Sequence, residues 1–263
     1  MLNPEDKRPS MRKFFCALSF LTIVPMPRSF DLGQEDLGRA ILFFPIVGIL
    51  VGLFTWGIGY LFYCVLPRQV AALGVVVVLA GASGALHLDG LADTCDGFLS
   101  GRPKDKTLAI MRDSRVGTMG VVGIIFLVLI KWISLANVVS HALWATIVLM
   151  PLCGRTSLLV MMSILPYARS EGGLATVFQG HKELKWSGVA IGAALMIAVS
   201  IFGFGKLGII IVATLLGCML LFSGYCYKRI GGYTGDTLGA ICEVSEMLCP
   251  LIVLVVLRGG LAI

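Results

Sequence analysis

Charge is what this sequence has least of. Of its 263 residues only 14% are Asp, Glu, Lys or Arg, while 57% are hydrophobic and the mean hydropathy is +0.93. A water-soluble domain of this length needs a polar surface, and this composition cannot supply one. Histidine is scarce, at three residues. Eight cysteines, at positions 16, 64, 95, 153, 218, 226, 242 and 249, form no CxxC pair. Most lie in apolar runs, which argues against zinc sites and for small apolar filler. No linker of domain size and no internal repeat is visible, so residues 1–263 read as a single integral membrane domain. The net charge of +6 is read as loop cations facing anionic headgroups, with no nucleic-acid partner.

What the sequence does have is long apolar runs. Several exceed the 18 or so residues that cross a ~30 Å hydrocarbon layer as a helix. Seven spans are expected, at about 41–66, 69–88, 119–139, 142–165, 187–203, 207–227 and 238–257. Ahead of them Lys7, Arg8, Arg12 and Lys13 precede an apolar stretch from Phe14 to Val24. Pro25-Met26-Pro27 follows instead of a small-residue cleavage site. The stretch is too short to span, so an interfacial or re-entrant helix is expected. The fold class is therefore all-α: a polytopic bundle of about seven spans plus that N-terminal helix. The 32 glycines suit close helix packing in lipid and are compatible with a homo-oligomer.

The few charges are unevenly placed. Sixteen of the 21 Lys and Arg lie before residue 41 or in 89–118, 166–186 and 228–237. The positive-inside rule then puts the N-terminus and these segments in the cytoplasm and the C-terminus outside. Thirteen of the 15 acids share those segments. The other two, Glu243 and Glu246, enter the last span from the same side. Lys131 lies near the outer end of the third span, where its ammonium is expected to snorkel.

Three stretches carry candidate chemistry. In His87-Leu88-Asp89-Gly90-Leu91-Ala92-Asp93-Thr94-Cys95-Asp96-Gly97 the acids fall at i, i+4 and i+7. On a helix they lie within roughly 60° of one face. Three such carboxylates repel unless protons or a divalent cation intervene, and an all-oxygen set favours Mg²⁺, Mn²⁺ or Ca²⁺. The bland alternative is a solvated acidic loop, and His87 alone is as compatible with an interfacial residue as with a ligand or base. Second comes Met111-Arg112-Asp113-Ser114-Arg115-Val116-Gly117. Arg112 and Arg115, three apart, would share a helical face and suit phosphate oxygens, or act only as topogenic charge. Third is Gly231-Gly232-Tyr233-Thr234-Gly235-Asp236-Thr237-Leu238-Gly239, followed by Glu243 and Glu246. Acids entering lipid are costly and usually functional; Arg155 in the fourth span is their natural counter-charge. Together these features suit transfer of a phosphorus-centred group, with an unligated Asp accepting a proton from a hydroxyl.

The chain resembles the cobalamin synthase (adenosylcobinamide-GDP ribazoletransferase) family. The resemblance rests on Phe20 to Pro27, on Phe44-Pro45-Ile46-Val47-Gly48, on His87 to Gly97, Ile110 to Gly117 and Gly231 to Gly239, and on Glu243 and Glu246. It implies a late step of coenzyme B12 assembly at the prokaryotic inner membrane. Adenosylcobinamide-GDP and α-ribazole or its 5′-phosphate would be joined, and GMP released. It implies Mg²⁺ held by Asp89, Asp93 and Asp96, with one of these acids, Asp113 or Asp236 as base. Substrate and phosphate would meet His87, Arg112, Ser114, Arg115, Arg155, Gly235, Thr237, Glu243 and Glu246. The acid pattern is also similar to that of CDP-alcohol phosphotransferases, although no Ala-Arg pair follows Asp93 where they have one. A transporter would place acids at the midplane and show a repeat between halves. A non-catalytic scaffold would not depend on Asp93.

Overall fold

The computed structural model describes residues 10–25, 34–170 and 174–260. Lys7, Arg8 and the Met26-Pro27 end of the first motif lie outside the described residues. The described chain is mostly α-helical: α1 (Ser10–Leu21), α2 (Gln34–Ala40), α3 (Phe44–Val65), α4 (Arg68–Ala82), α5 (Leu86–Leu99), α6 (Lys104–Ile110), α7 (Thr118–Asn137), α8 (Leu143–Ile164), α9 (Lys182–Phe204), α10 (Leu207–Ile230) and α11 (Gly235–Gly260).

Among the described residues six helical stretches are long and apolar enough to cross a membrane: Asp36–Val65, Thr118–Asn137, Ser140–Ile164, Lys182–Phe204, Leu207–Ile230 and Gly235–Gly259. They are apolar all round, so burial is assigned by packing and not by an amphipathic stripe. The fourth expected span, α8, forms the centre, buried over nearly its whole length between α3, α9 and α11. Small residues set the approach of α3: a Cβ added at Gly52 would lie 2.7 Å from the Val148 carbonyl oxygen. Such small-xxx-small faces, here Gly48 and Gly52, replace the hydrophobic drive that lipid does not provide. Outward side chains such as Phe202 and Leu221 are apolar and exposed, as a lipid-facing surface requires.

The expected second span, 69–88, is corrected. It breaks after α4, and α5 departs at 92°. Gly84 (φ 58°) and Ala85 (φ 59°) are both left-handed, which reverses the chain direction and ends the helix. α5 carries one exposed and two half-buried aspartates, and α4 and α5 pass for a membrane crossing only as one bent pair. The N-terminal segment is helical as α1, short, with Cys16, Ala17 and Leu21 buried and Met11 exposed. It packs on α2 and α3. All eight cysteines are free, and five are buried.

Lys131 is the second correction. It does not snorkel: it is 3% exposed and donates to Glu243 Oε2 at 2.8 Å and Glu246 Oε2 at 3.0 Å. Arg155 Nη1 bonds the other oxygen of Glu246. Two cations and two anions thus neutralise each other where α7, α8 and α11 meet. Lys131 lies on the face of α7 that also buries Gly120, Leu127 and Ser134, so its ammonium meets α11 before it reaches any interface.

A candidate active site at the α5–α11 contact

Two glycines bring the acidic helix against the last span. A Cβ at Gly90 would lie 2.8 Å from the carbonyl oxygen of Asp236 and 3.2 Å from Gly239 Cα. One at Gly239 would lie 3.0 Å from the His87 carbonyl oxygen. No larger residue permits this approach, which sets Asp89 and Asp93 of α5 facing Asp236 in the first turn of α11. Asp93 registers the crowding. Burial, then the charges of Asp236, Asp89 and Asp96, push its carboxyl up from 3.8 to about 6.

The start of α11 is built by its own residues. Thr234 N–H donates to Thr237 Oγ1 at 2.8 Å, and Thr237 N–H returns to Thr234 Oγ1 at 3.2 Å, a reciprocal cap. Thr237 is fully buried in this role, whereas Gly235 is exposed and lines a cavity. The cap fixes Asp236 one residue before Thr237. A short two-stranded contact fixes its partner: Tyr233 N–H donates to the Pro166 carbonyl and Ala168 N–H to the Tyr233 carbonyl, both at 2.9 Å. The tyrosine rings of residues 167 and 233 pack edge to face. This clamp places Arg169 beside Asp236, where Arg169 Nη2 donates to Asp236 Oδ2 at 2.7 Å.

Two cavities meet at Arg169. One, of about 260 Å³, is walled by Phe20, Phe44 and Phe178 together with His87, Asp89 and Asp236. The three phenylalanines pack on one another with ring centroids 5.6 to 6.0 Å apart. His87 is buried, and its Nδ1 has no hydrogen-bond partner. The other cavity, of about 550 Å³, is walled by Lys104, Arg112 and Arg169 with Asp105 and Ser170.

Other expected site residues are placed differently. Asp96 caps α7: its oxygens accept from Gly117 N–H at 2.7 Å and Gly120 N–H at 2.8 Å. The expected helical face shared by Arg112 and Arg115 is corrected, because α6 ends at Ile110 and 111–117 is irregular. Arg112 reaches the basic cavity. Arg115 is exposed and forks onto Asp113, with Nη2 to Oδ2 at 2.7 Å. Hydrogen bonding to Arg115 holds Asp113 down at about 2, which makes it a poor proton acceptor. Ser114 is exposed beside them. Glu243, Glu246 and Arg155 are enclosed in the ionic cluster with Lys131, at most 4% exposed. The site residue that the sequence did not single out is Arg169. It was only one of three cations in the 166–186 segment, and the available signal was that this segment shares a face with the acids.

Among the described residues no three His, Cys, Asp or Glu side chains close on one point as a complete protein cage would. The two open carboxylates of Asp89 and Asp93 form a small all-oxygen donor set. That set fits Mg²⁺, which keeps waters and is held by one or two carboxylates together with substrate phosphates.

No solved structure matches the chain. Curated relatives are named adenosylcobinamide-GDP ribazoletransferase. The one from Geotalea daltonii is 39% identical over 95% of this chain and 99% of its own length. That from Clostridium acetobutylicum is 34% identical over 94% and 97%. That from Klebsiella pneumoniae is 37% identical over 93% and 100%. Residues 13–255 match the cobalamin-5-phosphate synthase family from one end of the bundle to the other, acidic helix and glycine-rich loop included, and the chain belongs to that family.

Proposed function

We propose that this chain carries out the transfer for which its relatives are named. It joins adenosylcobinamide-GDP to α-ribazole or α-ribazole 5′-phosphate, and GMP leaves. The observation that carries this reading is the α5–α11 contact, which assembles three carboxylates beside an arginine at a cavity rim. The ribose hydroxyl oxygen forms a bond to the phosphorus on the cobinamide side of the diphosphate. The bond from that phosphorus to the oxygen bridging to GMP breaks, and its electrons leave with GMP. The hydroxyl proton goes to Asp236, which faces the cavity from the start of α11. Mg²⁺, held by Asp89 and Asp93, would offset the negative charge of the diphosphate. Asp96 supports this site by tying α5 to α7. The phenylalanine wall of the smaller cavity suits a flat apolar base. The site lies on the cytoplasmic face of the inner membrane, with the C-terminus outside; the distribution of Lys and Arg supports that orientation.

The test is turnover by protein reconstituted in lipid, given adenosylcobinamide-GDP, α-ribazole 5′-phosphate and Mg²⁺. Corrinoid product and GMP in equal amounts, both abolished by EDTA, are expected. No product from folded protein, or turnover of a CDP-activated alcohol instead, would overturn the reading in favour of a lipid phosphotransferase.

A further inference from the structure

Arg169 belongs to both cavities. On one side its Nη2 holds Asp236; on the other the guanidinium walls the basic cavity with Lys104 and Arg112. Its side chain is 14% exposed, and its Nε is buried without any hydrogen-bond acceptor. A guanidinium offers donors in a planar fork, and a buried donor left unused is a cost that an incoming anion removes. Phosphate oxygens match that fork better than a single carboxylate oxygen does. The basic cavity has the volume and the cations to take such a group, and Asp105 and Ser170 supply polar walls.

We propose that the basic cavity binds the diphosphate of a nucleoside-diphosphate-linked substrate, and that Arg169 swings from Asp236 onto that diphosphate. Empty, the site keeps Asp236 Oδ2 occupied by its ion pair with Arg169. Filled, it draws Arg169 away and leaves the Asp236 carboxylate open to the attacking hydroxyl. Access of the hydroxyl to Asp236 is thereby tied to occupancy by the activated substrate. The inference rests on the transferase reading for its chemistry, but its binding half stands on the cavity alone.

The experiment is a double-mutant cycle read as GDP binding to purified protein in Mg²⁺-free buffer, by calorimetry. Arg169→Gln is expected to weaken GDP by about tenfold or more, as loss of a charge-assisted hydrogen bond does, and Arg169→Lys by less. Asp236→Asn is expected to tighten GDP, because it frees Arg169, although it abolishes turnover. In the Arg169→Gln background Asp236→Asn is expected to change nothing. A purely structural ion pair would make both single variants bind alike or worse. GDP binding unchanged in Arg169→Gln and Arg169→Lys, or no tightening in Asp236→Asn, would overturn the proposal. Wild-type protein that binds GDP through Arg169 but yields no corrinoid product would instead overturn the reaction and leave the cavity assignment standing.

Discussion

Asp93 has an acidity that follows from its neighbours. Burial and three nearby carboxylates lift it from 3.8 to about 6. The folded protein therefore holds this proton more tightly than the unfolded chain does. By linkage, its contribution to stability falls as pH rises through about 4 to 6. A divalent cation reverses that penalty by displacing the proton. Thermal melts with and without Mg²⁺ should show a larger Mg²⁺-induced rise at pH 7.5 than at pH 5, and Asp93→Asn should remove most of the difference. Equal Mg²⁺ effects at both pH values would contradict a cation site at these acids. The i, i+4, i+7 spacing was legible because three acids at a membrane face have few structural reasons to share one helical side. The cap formed by Asp96 was not, since its partners, Gly117 and Gly120, are more than twenty residues away and offer only backbone N–H groups. Arg169 was hidden for a similar reason: its place depends on the Tyr233 backbone pairing, which no local pattern encodes.

Between elements, hydropathy located the long helices and missed one break. The 69–88 run is apolar to its end, and Ser83-Gly84-Ala85 is unremarkable in a chain rich in glycine. Only the left-handed backbone at residues 84 and 85 turns it into α4 and α5. The same limit explains Lys131, whose height in the membrane is readable from position but whose direction around α7 is not. Its ion pairs join α7 to α11. Lys131→Met should destabilise the protein by about 3–5 kcal/mol, the usual consequence of leaving one buried charge unpaired. That variant leaves Glu243 without its ion pair. Adding Glu243→Gln should recover part of the loss, because Glu246 keeps Arg155. Denaturation of the wild type, both single variants and the double variant in detergent checks this; additive losses would mean that the two residues do not interact.

At the scale of the whole molecule, charge asymmetry and the bend in the second crossing unit place every open carboxylate of the site on one face. Exposed Ser114 follows α6 on that face, and exposed Ser140 lies between α7 and α8 on the other. In intact cells and a Cys64→Ser background, which removes the exposed native thiol, a membrane-impermeant thiol reagent should label Ser140→Cys. It should label Ser114→Cys only after permeabilisation. The opposite pattern would place the site outside the cell.

The central claim is that the α5–α11 acids are the reacting centre. Its most direct test is GMP release from adenosylcobinamide-GDP and α-ribazole 5′-phosphate by Asp93→Ala protein, with its folding checked by the same melt as the wild type. The account expects Mg²⁺-dependent release by the wild type and a loss of about a hundredfold or more in the variant, on the scale of removing a group that offsets transition-state charge. Near wild-type release by folded Asp93→Ala protein would contradict it.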